Sequence, residues 1–94
     1  MDFDKLVHQP TRLQIFAYLY RHGESSFTDL TSALDLTEGN LSSHLQRMED
    51  AGAVEITKAF VDDRPQTSAA LTDEGREQFE EHVHTLQALI DDLE

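Results

Sequence analysis

Apolar residues keep a helical spacing along this chain as far as Gly52, alternate over 53–71, and return to a helical spacing at the end. Phe3, Leu6 and Val7 mark a short amphipathic first helix, broken at Gln9-Pro10. Pro10 suits the first position of a second helix, where its missing N–H is not needed. That helix sets Leu13, Phe16 and Tyr20 on one side and Ile15 and Leu19 on the adjoining side, and Gly23 ends it. A short third helix from near Thr28 buries Leu30 and Leu34 beneath Phe27. Asp35-Leu36 then leads tightly into a fourth helix over 37–52. Thr37 is its N-cap, because a threonine hydroxyl accepts from a free N–H in the first turn. Leu41, Leu45 and Met48 line one face at i, i+4 and i+7, and Gly52 tolerates the left-handed conformation that stops a helix.

Past Gly52 the period becomes two. Val54 and Ile56, and with them Lys58, alternate against Ala53, Glu55 and Thr57 up to Phe60, which predicts a half-buried strand. Asp62-Asp63-Arg64-Pro65 is a turn cluster, and Thr67 to Leu71 return as the antiparallel partner. The acidic start Asp73-Glu74 favours the positive end of a helix dipole. In the last helix Phe79, Val83, Leu86, Ile90 and Leu93 are spaced 4, 3, 4 and 3, a heptad seam. We read this seam, assisted by Phe3 and its neighbours, as a homodimer interface. Its rival use is packing against the protein's own second helix.

The fourth helix is built for two tasks. Off its apolar stripe lie Gly39, Asn40, Ser42, Ser43, Gln46 and Arg47, mostly small or hydrogen-bonding, where a helix selected for solubility would carry Glu/Lys pairs. Such a face fits a DNA groove. Two helices joined by about three residues, the second polar on its outer face, form a helix-turn-helix. With the hairpin and the long last helix, the order is that of a winged helix-turn-helix domain. The expected fold is mainly α with a small β-hairpin (α+β). One domain spans 1–94, comprising a helical core plus wing over 1–72 and a C-terminal dimerisation helix over 73–94.

The chain resembles the ArsR/MarR-type winged-helix transcriptional regulators. The resemblance rests on H-Q-P-T-R-L-Q-I-F at 8–16, T-D-L-T-S-A-L-D-L at 28–36, N-L-S-S-H-L-Q-R-M-E-D-A-G at 40–52 and L-T-D-E-G at 71–75. It implies a dimer that reads an inverted repeat in double-stranded DNA and acts mostly as a repressor. It also implies that Asn40, Ser42, Ser43 and His44 face the major groove, with Thr37 at the head of the same helix. Physically, Asn40 can make the bidentate contact to adenine, donating from its amide N–H and accepting at its amide oxygen, and serines can reach base edges or phosphates. Gln46 and Arg47 follow about one turn later. Relatives often carry a basic residue where Ser43 stands, which weakens phosphate anchoring here. In the wing, the resemblance points to Lys58, Arg64 and Gln66, although Asp62 and Asp63 occupy a tip that is commonly glycine-rich and basic. The plain alternative there is a solvated hairpin loop.

Charge complicates the picture. The 94 residues carry 19 acids against seven Lys and Arg, a net −12, the wrong sign for a simple phosphate binder. More than half of the excess lies in residues 73–94, where eight acids face Arg76 alone. Only Lys5 and Lys58 are lysines, and aspartates come in pairs at 62–63 and 91–92, a surface chemistry resembling that of proteins from salt-loving (haloarchaeal-type) organisms. The second functional reading follows from this acidity: a winged-helix module that binds a protein partner or mimics DNA without touching it.

Several classes are excluded or disfavoured. With no cysteine, the chain forms no disulfide or thiolate metal site. No apolar run approaches the roughly 18–20 residues of a membrane span, and M-D-F-D-K lacks a signal peptide's pattern, so a cytoplasmic protein without membrane partners is expected. There is no glycine-rich phosphate loop, nucleophile elbow or HExxH, and neither an enzyme nor a cofactor is expected. His82 and His84 beside Glu80 and Glu81 invite a metal, but residues i and i+2 diverge by about 200° on a helix. Solvated positions and no metal are expected there. His8 and His22 flank the second helix as structural or exposed residues.

Overall fold

The computed structural model describes residues 4–93. Their elements run α1 (Lys5–His8), α2 (Pro10–His22), β1 (Ser25–Ser26), α3 (Phe27–Leu34), α4 (Glu38–Asp50), β2 (Val54–Val61), β3 (Arg64–Leu71) and α5 (Asp73–Asp92). The architecture is mainly helical, with a small three-stranded antiparallel sheet of order β1-β3-β2 and a long C-terminal helix. Phe3 lies outside the described residues.

Local chemistry accounts for the boundaries. The Gln9 side chain accepts from Arg12 N–H at 2.8 Å ahead of Pro10 at the start of α2. Ser26 caps α3 from Asp29 N–H at 3.0 Å, so that helix starts at Phe27 rather than Thr28. Thr37 caps α4 through Asn40 N–H at 3.1 Å. The other end of α4 closes with Gly52 at φ +80, its N–H on the Glu49 carbonyl and the Ala53 N–H on the Met48 carbonyl. These are the paired bonds of a Schellman ending.

The core gathers Val7, Ile15, Phe16, Leu19, Leu30, Leu41, Leu45 and Met48, all fully buried, with Ala53, Val54, Ala69 and Phe79. At about 1.5–3 kcal/mol for each large apolar side chain removed from water, this cluster is the main source of stability. Leu34, expected in it, is only half-buried.

The alternating stretch forms the expected hairpin, with Ile56 paired to Ala69 and Val61 to Arg64. Two features differ from expectation. A third strand, β1, pairs Ser25 with Ala69 and Ser26 with Ser68. Phe60 is not half-buried but 78% exposed, because the hairpin extends past the helices that cover Val54.

Helix α5 is stapled to the end of α4. The Thr72 N–H donates to the Ala53 carbonyl at 3.0 Å, and its hydroxyl donates to the Gly52 carbonyl at 2.6 Å while accepting from Gly75 N–H. Gly75 rests against the backbone of Ala53 so closely that a Cβ would overlap that carbonyl. From this root α5 packs on α1, α2 and β3. Phe79 stacks on Phe16, with ring centroids 6.1 Å apart, and lies 5.1 Å from Tyr20. Tyr20 in turn donates to Glu80 at 2.8 Å, with the Arg76 guanidinium over its ring.

His82 corrects the expectation of a solvated position. It is 2% exposed and shares an N···N hydrogen bond of 3.1 Å with His8. Burial first, then His8, hold its pKa below the ordinary value, against an opposing pull from Asp4. Among the described residues, no group of three or more His, Asp or Glu side chains could hold a metal ion. No described helix is long and apolar enough to cross a membrane.

Candidate nucleic-acid interface

Helix α4 presents its expected polar face because its apolar stripe is fully consumed by the core. Leu41, Leu45 and Met48 are buried, while Gly39, Asn40, Ser42, Ser43, Gln46 and Arg47 are exposed. At about 100° per residue, Gly39, Ser43 and Asp50 point most directly away from the core with Gln46 beside them, Asn40 and Arg47 on one shoulder and Ser42 on the other. The acids of this helix sit at its ends: Glu38 is exposed in the first turn, Asp50 is exposed in the last, and Glu49 is half-buried.

The individual side chains differ in freedom. Thr37 spends its hydroxyl oxygen on the cap, so it anchors the helix start. Asn40, Ser42 and Ser43 are exposed at the N-terminal half. Gln46 donates its amide to Asp50 at 3.0 Å and to Glu49 at 3.4 Å, and it must release them to donate to a base. His44 departs from the groove-facing set. It is half-buried on the flank toward α2, where Arg12 Nη1 donates to its Nδ1 at 3.3 Å. Burial, then the charges of Arg12 and Arg47, push the His44 imidazole below its ordinary pKa.

Arg12 was not singled out by the sequence, although a visible signal existed. It occupies a place in the helical series that continues through Ile15, Phe16 and Leu19, where a charge is out of pattern. It is 9% exposed. Its Nε donates to the Leu6 carbonyl at 2.7 Å and its Nη2 to the Lys5 carbonyl at 3.4 Å, which ties α1 to α2. Burial and then Arg47 lower its pKa.

The wing residues do not converge. Lys58 shares a strand face with Val54 and Ile56 and, with Phe27, Ser42, Gln46 and Thr67, lines an open groove of about 330 Å³ beside α4. Arg64 and Gln66 are exposed, but they alternate with Pro65 and Thr67 and so start from the opposite face of the hairpin. Asp62 and Asp63 make the tip, both at positive φ (52 and 62), the pattern of a two-residue type I′ turn. Aspartate tolerates that region better than most residues.

Of the heptad seam, Phe79 is 8% exposed and belongs to the chain's own core rather than to a free face. Leu86 is half-buried. Val83, Ile90 and Leu93 are exposed, together with Leu89, which the heptad reading left out.

The model of the winged helix DNA-binding domain matches residues 11–90. A transcriptional regulator homologue from Pyrococcus horikoshii superposes with a TM-score of 0.89 at 36% identity, over 95% of this chain and 88% of that one. HlyU from Vibrio cholerae superposes with a TM-score of 0.66 at 26% identity, over 87% of this chain and 84% of that one. In sequence, an uncharacterized protein of Methanocaldococcus jannaschii is 32% identical over 90 residues, 96% of this chain and 98% of its own length. The helix-turn-helix, the hairpin and the staple at Gly75 all lie within the matched span. The chain belongs to the winged helix DNA-binding domain family.

Proposed function

We propose that this protein is a sequence-specific transcriptional regulator of the ArsR/MarR type. In this reading it binds duplex DNA as a homodimer through α4 and represses by occupying its site. One observation carries the reading: α4 is held rigidly by a fully buried stripe while its outer face is exposed, narrow and hydrogen-bonding. That combination suits base edges in a major groove. The similarity to a solved transcriptional regulator homologue supports the regulatory role. The exposed apolar residues on the distal half of α5 support pairing of two copies.

The acidic balance shapes how such a protein binds. Long-range attraction contributes little at −12, so affinity rests on groove hydrogen bonds and a few cations, Arg47, Lys58 and Arg64. In molar salt, repulsion between protein and DNA is screened within about 3 Å. Binding then weakens only slightly with salt, or strengthens, in contrast to the steep loss of basic binders. This behaviour fits a protein working in a salt-rich interior.

Selection from random duplexes at low and at molar KCl tests the reading. The expected product is an inverted repeat with half-sites about one helical turn apart. Asn40→Ala with Ser43→Ala is expected to lower discrimination between selected and scrambled duplexes by tenfold or more, since each good base contact is worth about 1–3 kcal/mol. Failure to enrich any sequence at any salt overturns the DNA reading, and a stable complex with a basic protein partner would then favour an interaction module.

A further inference from the structure

On the shoulder of α4 that faces α2, positive charge accumulates in a chain otherwise dominated by acids. Arg12 is nine-tenths buried, and among the described residues its partners are two backbone carbonyls and one imidazole, with no carboxylate. Buried cations are ordinarily paired with an anion. Carbonyls and a neutral ring satisfy N–H groups but cancel no charge. Three of the five guanidinium N–H groups are engaged, which leaves unspent donors as well as unspent charge. Arg47, exposed and almost one turn beyond His44, adds a second fixed cation to the same shoulder.

The contact also decides the state of His44. A guanidinium only donates, so the Nδ1 of His44 must offer a lone pair to Arg12. The ring proton is therefore on Nε2, and the neutral imidazole presents a donor on its other side. The charges that act on the ring are Arg12 from α2 and Arg47 from its own helix, while α1 contributes carbonyls to Arg12. Both charges oppose protonation in the free protein. A helix lying in the major groove with Ser43 and Gln46 outermost turns this shoulder toward a strand of backbone phosphates.

We infer that Arg12, His44 and Arg47 form one phosphate seat, in which His44 donates through Nε2 to a DNA backbone phosphate and DNA binding is coupled to uptake of a proton on Nδ1, which releases the Arg12 Nη1 donor from the ring. This inference rests on the proposed DNA-binding role of α4. His44 and Arg47 touch the phosphate. Arg12 is the positioning residue, acting through His44 by holding the tautomer of the neutral ring with Nε2–H turned outward. A seated phosphodiester monoanion offsets part of the charge of the two arginines and so weakens the opposition to protonating the ring. Affinity is thus flat at high pH and rises as pH falls through the value His44 adopts in the complex.

The test measures affinity for the selected duplex at fixed salt from about pH 8 to about pH 6, with wild type and His44→Gln. Glutamine keeps a donor and does not titrate. Carboxylates near DNA also respond to pH, so the reading is the difference in slope between the two proteins. Wild type is expected to gain about threefold to tenfold more than the variant over that interval. Long-range proton–nitrogen spectra of the free protein are expected to show His44 with a bare Nδ1 and a protonated Nε2, and Arg12→Gln is expected to lose that preference. Equal pH slopes, or a proton on Nδ1 in the free wild type, overturn the phosphate seat while leaving DNA binding by α4 intact. Absence of any bound duplex removes the DNA reading and the seat together.

Discussion

Helices α4 and α5 carry apolar residues at the same three- and four-residue spacing, yet the fold treats them differently. In α4 the whole stripe disappears into the core, and the polar face remains. In α5 the root is buried at Gly75, Phe79 and His82, but beyond it Val83, Ile90 and Leu93 stay exposed, Leu93 by 79%. Spacing shows that a helix has an apolar face and says nothing about what covers it. Coverage depends on where the helix leaves the body. The radius of gyration, 14.2 Å, exceeds the roughly 12 Å of a compact chain of this length, as projecting elements require. One helix is therefore complete within the chain, and the other has apolar surface left over.

Truncation of the stripes gives the largest expected contrast. Leu45→Ala should cost about 2–5 kcal/mol in urea unfolding, whereas Leu93→Ala should change the unfolding of an isolated protomer by no more than about 0.5 kcal/mol. A Leu93→Ala loss that grows with protein concentration would show that a second copy covers the residue. The next contrast concerns assembly. Ile90→Glu with Leu93→Glu is expected to convert a dimer to a monomer in sedimentation and to lower affinity for a two-half-site duplex by about a hundredfold or more, through lost bivalency. A wild type that sediments as a monomer at all concentrations breaks the α5 half of the comparison.

Smaller effects sharpen it. Thr37→Ala removes the α4 cap and should cost about 1 kcal/mol in thermal or urea unfolding. An equal cost from Ser42→Ala would mean that the outer face is structural after all. The smallest effect is a pH response at the root of α5. The His82 imidazole is held below its ordinary 6.5, chiefly by burial and then by His8, with Asp4 opposing. Its contribution to stability is full above that unfolded value and is lost as pH falls through the lower folded value. The melting temperature should fall between pH 7.5 and 5.5. In His82→Gln the drop should shrink without vanishing, because His44 is shifted in the same direction.

Where structure is set by neighbours in sequence, it was legible in advance. Pro10, Thr37 and Gly52 act locally, and their roles follow from residue type and position. Helix α4 was visible because its stripe and polar face obey one period. Strand β1 was not visible, since Ser25 and Ser26 have no apolar alternation and pair with Ser68 and Ala69 from far along the chain. The burial of His82 depends on His8, 74 residues away in sequence. The inward turn of His44 depends on Arg12, and no spacing within α4 reports it. For Phe60 the alternation was right and the cover was missing. The tie between Gln46 and Asp50 is different: an i, i+4 pair on a helix is readable from sequence.

The staple at Gly75 makes α5 a lever. Twenty residues extend about 30 Å, so a tilt of roughly 5° at the root moves the far end by nearly 3 Å. Glycine at that point lets the helix sit directly on the Ala53 carbonyl, and the same turn ends α4. Helix α4 and the lever thus share one hinge pin, with no slack between them. In the proposed dimer, the distance between two reading helices would then be graduated by the bulk of a single side chain at position 75.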